Sequence, residues 1–293
     1  MLTRTGALAA LGLVLALTTG AQAAQVASPA GDPSAQGTDL VWQEPEVGGF
    51  LLRNGQPTQL PGNDPSLGDT RIAWHVGDAV TVADSASLQP VLQVTIPGVE
   101  KLAVSNEWLV YRRALPDGRE QLRAFSFADP ATTLMLTDAR AKGRLGRPSL
   151  SGDLVVYHVA GPGGSGLYAY ALSTRKRTQL RTSKVAQLLN PVRLGSKLLY
   201  VRIDRCGQQL RLGSLSGDGA GRVLYKLAPL AGQDLGHERD HTRQGERVPC
   251  GGRPKPTSRM LWTTALSETA AYVTVLRPGS GGVMSPSLLS IGR

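Results

Sequence analysis

Two histidines four residues apart, with a glutamate between them, form the sharpest chemical motif in this sequence: His237-Glu238-Arg239-Asp240-His241. On a helix that spacing puts both imidazoles on one face, where they ligate zinc while the glutamate activates a bound water. Here Gly236 and Gly245 flank the motif, no apolar face exists to bury a helix, and no third ligand follows at a recognisable spacing. The match therefore reads as a polar loop, with no metal site and no cofactor. Gly217-x-Gly219-x-Gly221 imitates a dinucleotide loop, but no helix follows it, so it reads as a hairpin turn. No nucleophile elbow and no Asp-rich calcium loop occur, and no catalytic residue is assigned.

A second set of residues suits binding. Lys101, Arg144, Arg147, Arg193 and Arg259 fall on or just before segments that read as innermost strands of a repeat, where they would line an anion-binding channel. His75 and His158 each follow a recurrent aromatic, and equivalent positions of that kind face a common rim or pocket. Cys206 and Cys250 are the only cysteines, and in an oxidising compartment they are expected to form a disulfide. Closing a loop of that length contributes about 4 kcal/mol on the entropic account.

The start of the chain indicates such a compartment. Met1 to Arg4 is short and positive, Gly6 to Leu17 is apolar, and Ala21-Gln22-Ala23 has a small-x-small pattern. Together they read as a secretory signal peptide over residues 1–23, with a retained N-terminal anchor as the alternative. No cysteine follows to carry a lipid, and no second run of about 18 apolar residues occurs to span a bilayer. A periplasmic or secreted protein is expected, without a transmembrane segment in the mature chain. The 32 Lys and Arg against 22 Asp and Glu then point away from nucleic acid and toward an anionic envelope component.

All of these residues need strands to position them. Two apolar residues followed by an aromatic recur at Leu40-Val41-Trp42, Ile72-Ala73-Trp74, Leu109-Val110-Tyr111, Val155-Val156-Tyr157, Leu198-Leu199-Tyr200 and Ala270-Ala271-Tyr272. Eight to ten residues earlier stand Asp32-Pro33-Ser34, Asp64-Pro65-Ser66, Arg147-Pro148-Ser149 and Asn190-Pro191-Val192, while Lys101-Leu102-Ala103 and Trp262-Thr263-Thr264 depart from that form. Turn residues break each unit into short strands, and helical periodicity is absent from the mature chain. Four short strands in roughly 40 residues, six times over, predict an all-β propeller of six antiparallel blades over residues 32–293. The wide gap between Tyr200 and Tyr272 leaves seven blades as the alternative, against a polar loop insertion at 228–258. The sixth unit lacks a fourth strand after Ile291, and residues 24–31 are candidates to supply it and close the ring.

Arg147-Pro148-Ser149-Leu150-Ser151-Gly152-Asp153-Leu154-Val155-Val156-Tyr157, with Leu167 to Thr174 after it, resembles the repeat of TolB-like propellers. The resemblance covers about residues 32 to 293. Leu150 stands where that family has Trp, and the family's Pro-Asp-Gly is reduced to Gly152-Asp153. It implies a periplasmic protein-binding scaffold. The leading expectation is an exported, non-enzymatic propeller that binds a protein or ligand of the cell envelope. One alternative is a propeller hydrolase or lyase with its site at one mouth of the channel. The other is a basic surface that binds anionic envelope polymers.

Overall fold

The computed structural model describes residues 23–139, 143–161, 164–216, 219–229, 256–278 and 284–292. Every regular element among them is a strand. After β1 (Ala23–Ala27), the first blade is β2 (Gly31–Gln36), β3 (Asp39–Glu44), β4 (Gly48–Arg53) and β5 (Gln56–Gln59). The second is β6 (Asn63–Leu67), β7 (Arg71–Val76), β8 (Ala79–Asp84) and β9 (Pro90–Thr95). The third is β10 (Val99–Val104), β11 (Trp108–Ala114), β12 (Glu120–Ser126) and β13 (Asp129–Ala139). In the fourth, the inner strand is split into β14 (Arg144–Leu145) and β15 (Ser149–Ser151), followed by β16 (Leu154–Gly161), β17 (Gly164–Ala171) and β18 (Lys176–Ser183). The fifth is β19 (Gln187–Leu194), β20 (Lys197–Asp204), β21 (Gly207–Ser214) and β22 (Arg222–Leu227). The sixth begins with β23 (Met260–Leu266), β24 (Ala270–Pro278) and β25 (Met284–Gly292). Each sheet is antiparallel, and inner strands of successive blades neighbour one another around an axis. This is a six-bladed propeller.

β1 is the outermost strand of the sixth sheet, paired antiparallel to β25 with Ala23 opposite Ile291 and Gln25 opposite Leu289. The first and last described strands thus share one blade, and no break is left between first and last blades.

The apolar residues form six clusters, each between two neighbouring blades rather than within one. Val41, Leu51, Ile72 and Trp74 join blades 1 and 2, and Leu199, Val201, Leu261 and Val273 join blades 5 and 6. Trp42, Trp74, Tyr111, Tyr157 and Tyr200 are all at most 4% exposed, so the recurrent aromatic is the wedge of five of the six interfaces, and aliphatic residues fill the one between blades 5 and 6. Burying a side chain of that size stabilises by roughly 2–3 kcal/mol, and no single blade can do so alone.

The X-Pro marker has a backbone cause. Asp32, Asp64 and Asn190 adopt φ of 49°, 48° and 46°, a left-handed conformation that Asp and Asn tolerate better than other non-glycine residues. The proline that follows has no N–H to offer the ladder, so the pair forms a bulge in the inner strand. Register slips there, between Gly31 and Ser34, Asn63 and Ser66, and Leu189 and Val192. Opposite each bulge stands the aromatic: Trp42, Trp74 or Tyr200. In the sixth blade the slip lies between Leu261 and Thr264, and the residue opposite it is Thr274, not the Tyr272 of the recurrent pattern. Tyr272 instead packs toward the cluster of Trp42 and Leu288, because it lies two residues, one full pleat, earlier.

The signal-like segment to residue 22, most of the 228–258 insertion, Cys250 and the whole HExxH motif lie outside the described residues. Among the described residues, no helix is long and apolar enough to cross a membrane.

Candidate functional site

Because every blade starts with its inner strand, the six bulges meet at one level of the central channel. They deliver Asp32, Asp64, Lys101, Arg147, Asn190 and Thr263 toward the axis. Lys101 Nζ donates to Asp32 Oδ2 at 2.8 Å and to Asp64 Oδ1 at 2.5 Å, reaching from blade 3 to blades 1 and 2. Arg147, itself 8% exposed, donates to the carbonyl oxygens of Asp32 and Pro65, reaching from blade 4 to blades 1 and 2. These two side chains cross the axis and plug it.

His75 completes the acidic side of the plug. Its Nε2 lies 3.2 Å from Asp64 Oδ2 and its Nδ1 lies 2.8 Å from the Gly77 carbonyl. Both partners are acceptors, so both ring nitrogens carry protons and the imidazole is cationic. Burial acts against that charge, but Asp64 and the Gly77 carbonyl raise the His75 pKa above its ordinary value. For Asp64, burial pushes the pKa up, yet His75, Lys101 and Arg147 hold it at about 2. Lys101 is likewise penalised by burial and raised by its two aspartates. Asp32 keeps one oxygen, Oδ1, that is buried without a donor.

His158 occupies the equivalent place in blade 4 and is in the opposite state. Its Nδ1 accepts the backbone N–H of Asn190 at 2.9 Å, which requires that nitrogen to be unprotonated. Burial and the nearby Arg112 lower its pKa to about 3. A Cβ on Gly146 would lie 1.9 Å from the His158 ring, so only glycine fits beside it.

The two histidines therefore do not share a rim. His75 is bonded within blade 2, whereas His158 belongs to a set of clasps between neighbouring blades. Gln43 accepts from the Asp64 N–H at 2.9 Å, Arg112 donates to the Leu145 carbonyl at 2.5 Å, and His158 holds Asn190. The serines of the marker act similarly. Ser34 accepts from Leu67 N–H at 3.1 Å and Ser66 from Val104 N–H at 3.1 Å. The Asp32 N–H donates to Thr263 and Thr264 donates to the Asn190 carbonyl, at 3.0 and 2.6 Å, which carries the ring past blade 6.

Of the five basic positions chosen from sequence, Lys101 and Arg147 meet at the axis and are bonded as described. Arg144 and Arg259 stand at the opposite end of the inner strands. The Arg144 side chain is 76% exposed and reaches Glu120 at 3.4 Å, while Arg259 is exposed beside β23. Arg193 lies at the other mouth, where it donates to the carbonyls of Gly195 and Ser151. Sequence reading passed over Asp32, Asp64, Asn190 and Thr263, although each stood inside a quoted marker.

Below the plug, the second halves of the inner strands enclose a funnel with about 620 Å³ of space, counting what is open to solvent. Its wall carries Ser34, Ser66, Ser149, Ser151 and Thr264 hydroxyls, and it narrows onto Arg147, Asn190 and Thr263. Arg193 stands on its wall. Chemically it offers donors, hydroxyls and backbone edges rather than an acid–base pair. Cys206 sits in the β20–β21 turn, at the mouth where the 228–258 insertion leaves β22 and enters β23. No free cysteine remains among the described residues.

No family model and no curated protein sequence matches the chain. Solved structures do match. The chain is similar to TolB from Acinetobacter baumannii at 10% identity and a TM-score of 0.50, covering 84% of this chain and 60% of that one. It spans, then, about three fifths of the TolB length. It also aligns with the β-propeller domain of the Trilobed protease from Pyrococcus furiosus, described as having an open velcro topology, at 9% identity and a TM-score of 0.49 over 90% and 93% of the two chains. A chain of a nidogen/laminin complex aligns at 10% identity and a TM-score of 0.49 over 83% and 87%. At such identities the TolB likeness shows the fold alone.

Proposed function

We propose that this propeller is an exported, non-enzymatic binding module of the cell envelope, whose funnel receives a protein segment or ligand. One observation carries the reading. The ionisable groups at the axis are committed to structural bonds: Lys101 and Arg147 to blades 1 and 2, His158 to Asn190 of the next blade, and His75 to Asp64 within blade 2. What the funnel wall still offers is the Ser149 and Ser151 hydroxyls, backbone edges and the outer nitrogen of Arg193 that its bonds to Gly195 and Ser151 leave over, a surface suited to recognition. A side chain fixed on both sides by structural bonds is poorly placed to shuttle a proton.

Export and a Cys206–Cys250 disulfide belong to this reading. They rest on the signal-like start of the chain and on the absence of a free cysteine among the described residues. Thiol titration of unreduced, denatured protein is expected to find none, and two titratable thiols would refute the bond.

The binding test is capture from envelope extract at low salt on immobilised protein, beside Ser149→Trp and Arg193→Glu, which obstruct the funnel and reverse its charge. A species retained by the wild type and lost by both variants, with thermal unfolding unchanged, supports the proposal. Turnover of an ester, peptide or glycoside by the wild type, abolished in those variants, would transfer the site to the hydrolase reading.

A further inference from the structure

The net positive charge of the chain is not spread around the ring. The described residues of blades 1 to 3 and the closing strand, 23–139, hold seven Lys and Arg against fourteen Asp and Glu. The described residues of blades 4 and 5, within 143–227, hold fourteen against two. Both acids of the basic half are occupied. Asp204 pairs with Arg202 at 2.8 Å, and Asp153 is bonded by Ser173.

The basic side chains crowd the outer circumference. β18 carries Lys176, Arg177 and Arg181, with Arg175 just before it and Lys184 just after; β22 carries Arg222 and Lys226. Arg175, Lys176, Lys184, Arg222 and Lys226 are exposed, and none has an acidic partner within ion-pair distance among the described residues. Charged residues on an outer strand are often no more than protection against edge pairing. That reading is weakened here, because β1, β5, β9 and β13, the other four outer strands, carry no Lys or Arg at all. Edge protection does not require the charges that blades 4 and 5 display.

We propose that the rim of blades 4 and 5 is a docking surface for an anionic phospholipid bilayer, on which the disc stands edge-on. Charge complementarity selects the partner, and shape selects the form. The charges lie on a convex rim of two neighbouring blades rather than along a groove. A fluid sheet of headgroups moves to meet scattered charges, whereas a linear polymer needs a track to follow. The funnel opens on a flat face of the disc, so an edge-on pose leaves it free. This inference stands apart from the funnel reading and survives its failure.

The test is co-sedimentation of the whole protein with vesicles of phosphatidylcholine containing one third phosphatidylglycerol, against pure phosphatidylcholine. Binding is expected only to the anionic vesicles and is reversed by salt. The triple variant Lys176→Gln, Lys184→Gln and Lys226→Gln should weaken it at least about tenfold, given the attraction of each surface Lys to an anionic leaflet. A control triple, Gln56→Glu, Gln93→Glu and Thr132→Glu, lowers the net charge equally on blades 1 to 3 and should retain most of the binding. Equal loss in both triples would mean that net charge alone drives association and would overturn the proposal. So would equal binding to neutral vesicles, or retention by soluble polyphosphate without any binding to vesicles.

Discussion

At the scale of single residues, the plug is an ion network whose members depend on each other. Replacing Lys101 by Met leaves Asp32 and Asp64 facing each other without their shared cation. Removing one partner of a buried pair typically costs about 3–5 kcal/mol, and urea unfolding of Lys101→Met should show a loss of that order. Adding Asp32→Asn and Asp64→Asn should restore part of it, because the repulsion that remains in the single variant disappears. The two histidines make a second expectation, in opposite directions. His158 is neutral in the fold, with its pKa lowered from 6.5 to about 3. A depressed pKa means its contribution is intact above 6.5 and is lost as pH falls toward 3, because the unfolded chain takes up the proton first. His75 has a raised pKa. Its contribution is intact below 6.5 and is lost as pH rises through the folded value. Unfolding measured across this range should therefore show His158→Gln with a flatter decline on acidification than the wild type. His75→Gln should lose stability mainly on the acid side. A His158→Gln variant that declines as steeply as the wild type would count against a neutral, accepting imidazole.

At the scale of elements, the glycine beside His158 and the strand that closes the ring are the most exposed to test. Gly146→Ala brings a methyl group to 1.9 Å from the edge of the His158 ring, and should lower Tm by many degrees. Alanine at Gly219, which has open space around it, should have little effect. A proline in place of Gln25 removes a ladder donor from β1 opposite Leu289, and should loosen the sixth blade before the others in hydrogen exchange. Such elements were legible in the sequence where they repeat. The aromatic wedge and the X-Pro bulge recur in most blades, so each copy supports the others. Blade 6 was misaligned by two residues because Thr274 holds the aromatic's place, and a lone Tyr272 nearby completed the apparent pattern. The plug was half legible. Lys101 and Arg147 were singled out as cations, yet their acceptors belong to blades 1 and 2, and nothing local in the chain encodes a bond across the axis. The aspartates that neutralise Lys101 were noticed only as turn-forming markers, since the left-handed bulge already accounts for an Asp at that place.

At the scale of the whole molecule, six interfaces of similar construction form a ring in which each blade depends on two neighbours. Truncation after Pro278 removes β25, which lies between β24 and β1, and so leaves both without their partner. Circular-dichroism melting of that truncated chain should show no cooperative transition, rather than a slightly lowered one. The pairing of β1 with β25 also orders events in time. Of the described strands, β1 emerges first from a ribosome or an export channel and its partner β25 emerges last. Until β25 arrives, Ala23–Ala27 has no place in any sheet, and blade 6 presents an open edge. Contacts between such distant parts of a chain form slowly, and open edges invite pairing with other molecules. A ring closed this way registers the arrival of β25: a chain interrupted before it leaves β1 as an unpaired strand for quality control to recognise.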